Sequence, residues 1–225
     1  MTTSTPSASR GTSFRGPRPL ALRLWHWLSA AAVLGSLGTV LLRKTFLSWR
    51  ANAQLIEAKV HELGGTISTD GAVAVAKALR APMWDWHYVF GFAIAGLLVV
   101  RFGLGFFLEG QAPFRSAWRE VTRWLPLPTA EKKAAAHHLL VRLSYAAFYV
   151  ALSFMVLSGL ALYFQSGLGL SKGVQGALKE AHELLMWFFP LFIAGHVTGV
   201  VVAELRGDRG LVSDMINGGA PADGS

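Results

Sequence analysis

Residues 182–196 read HELLMWFFPLFIAGH, an apolar run that begins and ends on histidine. An imidazole in a lipid-spanning helix is costly, so each one marks a functional position by default. At about 1.5 Å and 100° per residue, the step from His182 to His196 gives roughly 21 Å of rise, with the side chains about 40° apart around the axis. One continuous helix would present both imidazoles on nearly one face at two depths. His26 and His87 sit in apolar stretches of the same kind.

Composition places these runs in a membrane. The chain has 225 residues, 52% hydrophobic and 15% charged, with a mean hydropathy of +0.41. Soluble domains carry about 25% charged residues. Cysteine is absent, which excludes disulfides, thiolate metal sites, iron–sulfur ligation and thioether-attached haem. The net charge of +8 comes from Lys and Arg clustered beside apolar segments, where they set topology and meet anionic lipid. No basic stripe of the kind that binds nucleic acid is present.

Four segments are long enough to cross a bilayer, at about 22–42, 86–108, 139–164 and 183–204, so the expected fold is an all-α integral membrane protein, a four-transmembrane-helix bundle. The expected organisation is a polar N-terminal tail at 1–20, a membrane domain at 21–205 and a polar C-terminal tail at 206–225. Arg43, Lys44 and Arg50 separate the first apolar run from Ala51-Asn52-Ala53, so the first span is expected to be retained rather than cleaved as a signal peptide. The stretches 51–63 and 72–80 have helical composition, which predicts short amphipathic helices at the membrane surface within a 43–85 insert. Residues 109–138, with Pro113, Pro126 and Pro128, and residues 165–181 read as loops. Thirteen of the 21 Lys and Arg fall on the side of the termini and eight on the other. The positive-inside rule therefore puts both termini in the cytoplasm. Trp25, Trp27, Trp84 and Trp86 flank the first two spans, where interfacial aromatics belong.

That orientation sorts the histidines by depth. His26, near the cytoplasmic start of the first span, matches His196, and His87 matches His182 toward the periplasm. Each pair joins two helices and both share the last span, which predicts two bis-histidine haems held non-covalently in the bundle core. Gly35, Gly38, Gly91, Gly159, Gly195 and Gly199 would admit a flat macrocycle or a close backbone. Arg23, Arg101 and Arg142 are candidate propionate partners on the cytoplasmic side and Arg80 on the other; their ordinary role would be as snorkelling anchors. A single boundary histidine is ordinarily an interfacial polar group, and it is the matched pairing that favours haem. His61 reads as solvated, His137 and His138 as interface residues, and only His182-Glu183 hints at a non-haem metal.

Arg23-Leu24-Trp25-His26-Trp27, His87-Tyr88-Val89-Phe90-Gly91 with Arg101, Ser158-Gly159-Leu160, the stretch from His182 to Gly195-His196-Val197, and Met215-Ile216-Asn217-Gly218 together resemble the bacterial cytochrome b561 and nickel–iron hydrogenase b-type cytochrome family. The resemblance spans about residues 20–219, and the four-histidine pattern is its specific part. It implies that His26, His87, His182 and His196 ligate two b haems, and that electrons pass between a quinone pool and a periplasmic dehydrogenase, hydrogenase or cytochrome. His138 stands where relatives carry a histidine before the third span, which implies a cytoplasmic quinone site. A self-contained quinone-linked oxidoreductase is a second version of this reading. A proton-coupled transporter with a histidine relay is a rival from another class, though neither the inverted repeats nor the broken spans of such proteins are evident, and Pro190 alone would kink the last span.

Overall fold

The computed structural model describes residues 19–107, 113–126, 128–206 and 211–218. Among these, the chain forms α1 (Leu20–Lys44), α2 (Trp49–Glu62), α3 (Thr69–Arg80), α4 (Pro82–Phe107), α5 (Pro113–Trp124), α6 (Thr129–Tyr163), α7 (Lys172–Leu185), α8 (Phe188–Leu205) and α9 (Leu211–Asn217). Four stretches are long and apolar enough to cross a membrane: Leu20–Lys44, Thr69–Gly105, Leu139–Tyr163 and Lys172–Leu205. Their outward faces are apolar, with Leu34, Val99, Leu157 and Leu191 between 55% and 74% exposed. Such a surface suits lipid, and helices suit it too, because they satisfy their own backbone polar groups.

Every span contributes to one core. Ala32 and Val33 of α1, Ile94 and Leu98 of α4, Tyr149, Ala151 and Leu152 of α6, and Phe189 of α8 are buried together. Along α1 this cluster lies between His26 and the Ser36–Thr39 turn, and along the last span between His182 and His196. The core therefore separates two ends of the bundle.

The two helical stretches read within 43–85 become α2 and α3. They face one another over Ala53, Ala72 and Ala76, flanked by Trp49, Ile56, Ile67 and Val73. Alanine at these contacts lets the helices approach closely. Gly64, at φ +77°, reverses the chain after α2, and the Ser68 hydroxyl caps α3 by accepting from Gly71 N–H at 3.1 Å. Ala81, which follows α3, keeps α-helical dihedrals, so α3 runs almost directly into α4.

Three expectations of the sequence are corrected. The 165–181 segment, read as a loop, holds most of α7, which starts at Lys172 behind a Ser171 cap. Its residues are amphipathic, and their polar side chains hide from sequence that the helix begins well before the apolar run at 183. His182 consequently lies in the last turn of α7, not at the start of a span. Second, the single helix read at 183–204 is broken at Met186–Trp187. Pro190 is the cause: lacking an N–H, it cannot bond the Met186 carbonyl, and its ring crowds that group. The Met186 carbonyl accepts from Phe189 N–H at 3.2 Å instead. Third, α5 occupies part of the 109–138 stretch read as a loop, and α6 starts at Thr129, ten residues before the expected span. Prolines at 113 and 128 start helices here, where a missing N–H costs nothing.

Candidate functional site

The last turn of α7 and the first turns of α4 meet at one end of the bundle. The imidazoles of His87 and His182 lie there with ring centroids 6.4 Å apart and planes at 76°. They line a cavity of about 810 Å³ bounded by α1, α4, α6 and α7, within the range of about 300–1,000 Å³ that suits a small organic ligand or cofactor. Its walls are mostly apolar. Arg43, Lys44, Arg80, Lys172 and Lys179 supply cations to its lining, and Glu183 a carboxylate.

Hydroxyl groups hold both rings from behind. His87 Nδ1 is 3.1 Å from Thr39 Oγ1 on α1, and His182 Nδ1 is 2.9 Å from Ser158 Oγ on α6. Trp84 meets His87 edge-on at 5.5 Å. The Arg43 guanidinium stacks over Trp84 at 4.3 Å and donates to the Arg80 carbonyl at 3.0 Å. Two glycines shape the space. A Cβ at Gly159 would lie 3.3 Å from His182 Cε1, so a larger residue would press on the ring. Gly91, by contrast, faces open space and lines the cavity.

The second histidine pair lies at the opposite end of the core. His26 and His196 have ring centroids 6.4 Å apart and planes at 51°. Phe192 stacks parallel to His196 at 6.1 Å, and Tyr145 meets it at 6.4 Å. Arg23 Nε, His26 Nδ1 and Ser29 Oγ, at three-residue steps along α1, are buried side-chain atoms without a hydrogen-bond partner among the described residues. Buried polar atoms ordinarily have partners, so this row points to a polar group that the described residues do not supply. The α9 segment closes over the start of α1: Trp27 Nε1 donates to the Met215 carbonyl at 2.9 Å, and Arg23 Nη2 donates to the Ile216 carbonyl.

The remaining sequence candidates are dispersed. Arg101 projects into the core, where its Nε donates to Tyr149 Oη at 3.1 Å and its guanidinium lies 5.6 Å from the Trp25 ring. Arg80 lines the His87–His182 cavity. Arg142 is exposed on α6, one turn from Tyr145, and His61 is exposed on α2. His137 and His138 fall on α6, but their side chains lie outside the described residues. Among the described residues, no group of three or more His, Asp or Glu side chains is close enough to hold a metal ion. Thr39, Arg43, Lys172 and Lys179 were not singled out as site residues from sequence. A lone hydroxyl in an apolar run and cations at span ends look ordinary until the helices are assembled.

Apolar helices long enough to cross the membrane, with imidazoles paired between helices at the two ends of their core, define a multi-pass membrane protein of the cytochrome b kind. The family model for prokaryotic cytochrome b561 matches residues 18–218. The chain belongs to that family: it is a b-type cytochrome, an electron-transfer protein whose prosthetic group is haem b. It is similar to a probable Ni/Fe-hydrogenase B-type cytochrome subunit of Azotobacter vinelandii, 24% identical over 225 residues that cover 88% of this chain and 84% of the relative. A protein of the same description from Cupriavidus necator is 25% identical over 226 residues, covering 88% and 83%. No solved structure gives a significant match.

Proposed function

We propose that this chain is a two-haem cytochrome that carries single electrons across a bacterial inner membrane. The electrons pass between a periplasmic redox partner and the quinone pool. His87 with His182 would hold one haem and His26 with His196 the other. The observation that carries this reading is the shared 6.4 Å separation of both imidazole pairs at opposite ends of one core. Imidazole nitrogens bind metals at about 2.0–2.1 Å, so two rings on opposite sides of one metal have centroids roughly 6.3 Å apart. Each pair offers two ligands, which would suit a metal that arrives already held by a macrocycle. The open face of Gly91, the cavity volume and the buried row at Arg23, His26 and Ser29 fit the same group.

Bound haem supplies reversible one-electron chemistry at iron. The protein's part is to bind, orient and insulate. Arg43, Arg80 and the lysines of the cavity lining would offset carboxylates at the His87–His182 site, and Arg23 would do so at the other. Tyr149, Phe148 and Phe189 fill the space between the two ends and keep it free of water. The relatives' description as hydrogenase cytochrome subunits supports a hydrogenase as the periplasmic partner. The quinone would exchange near His26 and His196, with His138 a candidate contributor.

The functional test is reoxidation. In membranes from cells that make the partner hydrogenase, hydrogen should reduce the b-type absorption bands and added oxidised quinone should bleach them within the same assay. Bands that stay reduced in the presence of quinone would refute the quinone link. Orientation has its own test, made clean by the absence of native cysteine. In cells whose outer membrane is permeabilised, Thr66→Cys in the α2–α3 turn should react with a membrane-impermeant maleimide. Ser225→Cys should react only after the inner membrane is opened, and the reverse pattern would invert the topology.

A further inference from the structure

Thr39 and Ser158 are the buried polar residues among those described, 5% and 2% exposed. Each lies against a histidine on another helix: Thr39 of α1 against His87 of α4, Ser158 of α6 against His182 of α7. A hydroxyl has one hydrogen and two lone pairs. Thr39 Oγ1 gives its hydrogen to the Ser36 carbonyl at 2.6 Å. Ser158 Oγ gives its own to the Phe154 carbonyl at 2.7 Å, with the Met155 carbonyl farther away at 3.3 Å. With both hydrogens committed to the backbone, only lone pairs remain for the imidazoles. The Nδ1 atoms of His87 and His182 must therefore be the donors, which leaves Nε2 as the lone-pair nitrogen of each ring.

We propose that Thr39 and Ser158 are positioning residues that fix the Nδ1–H tautomer and ring orientation of His87 and His182, and thereby lower the midpoint potential of the haem held between them. The inference rests on the reading of those histidines as axial ligands. Hydrogen bonding from the second ring nitrogen orients a ligating histidine and raises its basicity. A hydroxyl that is itself donating is polarised and accepts more strongly. A more basic imidazole favours ferric over ferrous iron, which lowers the potential. His26 Nδ1 has no such acceptor among the described residues, so the device belongs to one end of the bundle and the other end serves as an internal control.

The test uses the purified, haem-loaded full chain carrying Ser158→Ala or Thr39→Val, each beside its hydroxyl-retaining counterpart, Ser158→Thr or Thr39→Ser. Haem per chain and midpoint potentials are read by spectroelectrochemistry. In the hydroxyl-free variants one b component should move to higher potential and the other should stay. A tenfold loss of ferric preference corresponds to about 59 mV for one electron. The counterparts should return the wild-type value. Ser36 Oγ lies 3.4 Å from His87 Nδ1, near the limit of hydrogen bonding, so Ser158→Ala should give the larger shift. Unmoved potentials in both hydroxyl-free variants with both haems retained would overturn the proposal. If a hydroxyl-free variant loses haem, recovery in its counterpart supports the proposal, and equal loss in the counterpart overturns it. Failure of the ligand reading is visible separately, as two low-spin haems surviving in His87→Ala.

Discussion

Replacing His182 with alanine is expected to remove one haem of two and leave the other low-spin at its original potential. The substitution takes away a ligand without endangering the fold. Alanine is the best helix former, and position 182 faces a cavity rather than a close-packed interior. His87 would be left with its Nδ1 still held by Thr39 but with no imidazole opposite it. His196→Ala should have the complementary result, because His196 pairs with His26 at the far end of the core. Haem content and absorption spectra of the purified variants decide the matter. Two low-spin haems after either change would overturn the pairing.

Gly91→Phe should have an effect of similar size by a different physical route. A Cβ at Gly91 meets nothing within 4 Å, and the residue borders the cavity of about 810 Å³, which is large enough for a phenyl ring. Phenylalanine is also a better helix former than glycine, by roughly 0.3–0.5 kcal/mol. The phenyl ring would enter the cavity lined by His87 and His182, where the cofactor is proposed to lie. The expected outcome is a well-folded protein that keeps the His26–His196 haem and loses the other. Thermal unfolding of the haem-free chain checks that the fold is intact, and haem counting checks the loss. Retention of both haems would mean that this cavity is not a haem site.

Sequence and structure agree where the deciding property is local. Hydropathy and length locate four spans without knowledge of their neighbours, and α1 and α4 fall within a few residues of the expected ranges. Histidine in an apolar run is visible for the same reason. Depth matching brought His26 together with His196 and His87 with His182, as the structure does, although the helix that links them is not the straight one assumed. Pro190 was legible as a possible kink. Where the chain would yield depended on which carbonyl lost its donor, and that placed the break at Met186–Trp187.

Features that arise between helices were not legible. Thr39 sits in the stretch Gly35-Ser36-Leu37-Gly38-Thr39, where nothing marks one hydroxyl above another. Its importance comes from α4 carrying His87 to within 3.1 Å. Arg43 served the sequence reading only as a topology signal, yet its guanidinium stacks on Trp84 at the cavity. Arg101 was read as a propionate partner. Its contacts with Tyr149 and Trp25 inside the core do not bear on that role, and they went unread because they need three helices to exist. The amphipathic α7 was missed because its polar face hides it from any test for apolar length, although Ser171 and the residues after it carry a helix start signal.

The central claim is that the two histidine pairs each hold one haem. A pyridine haemochrome assay on the purified wild-type chain, normalised to protein by amino-acid analysis, tests it most directly. Two b haems per chain is the predicted result; one or none would contradict it.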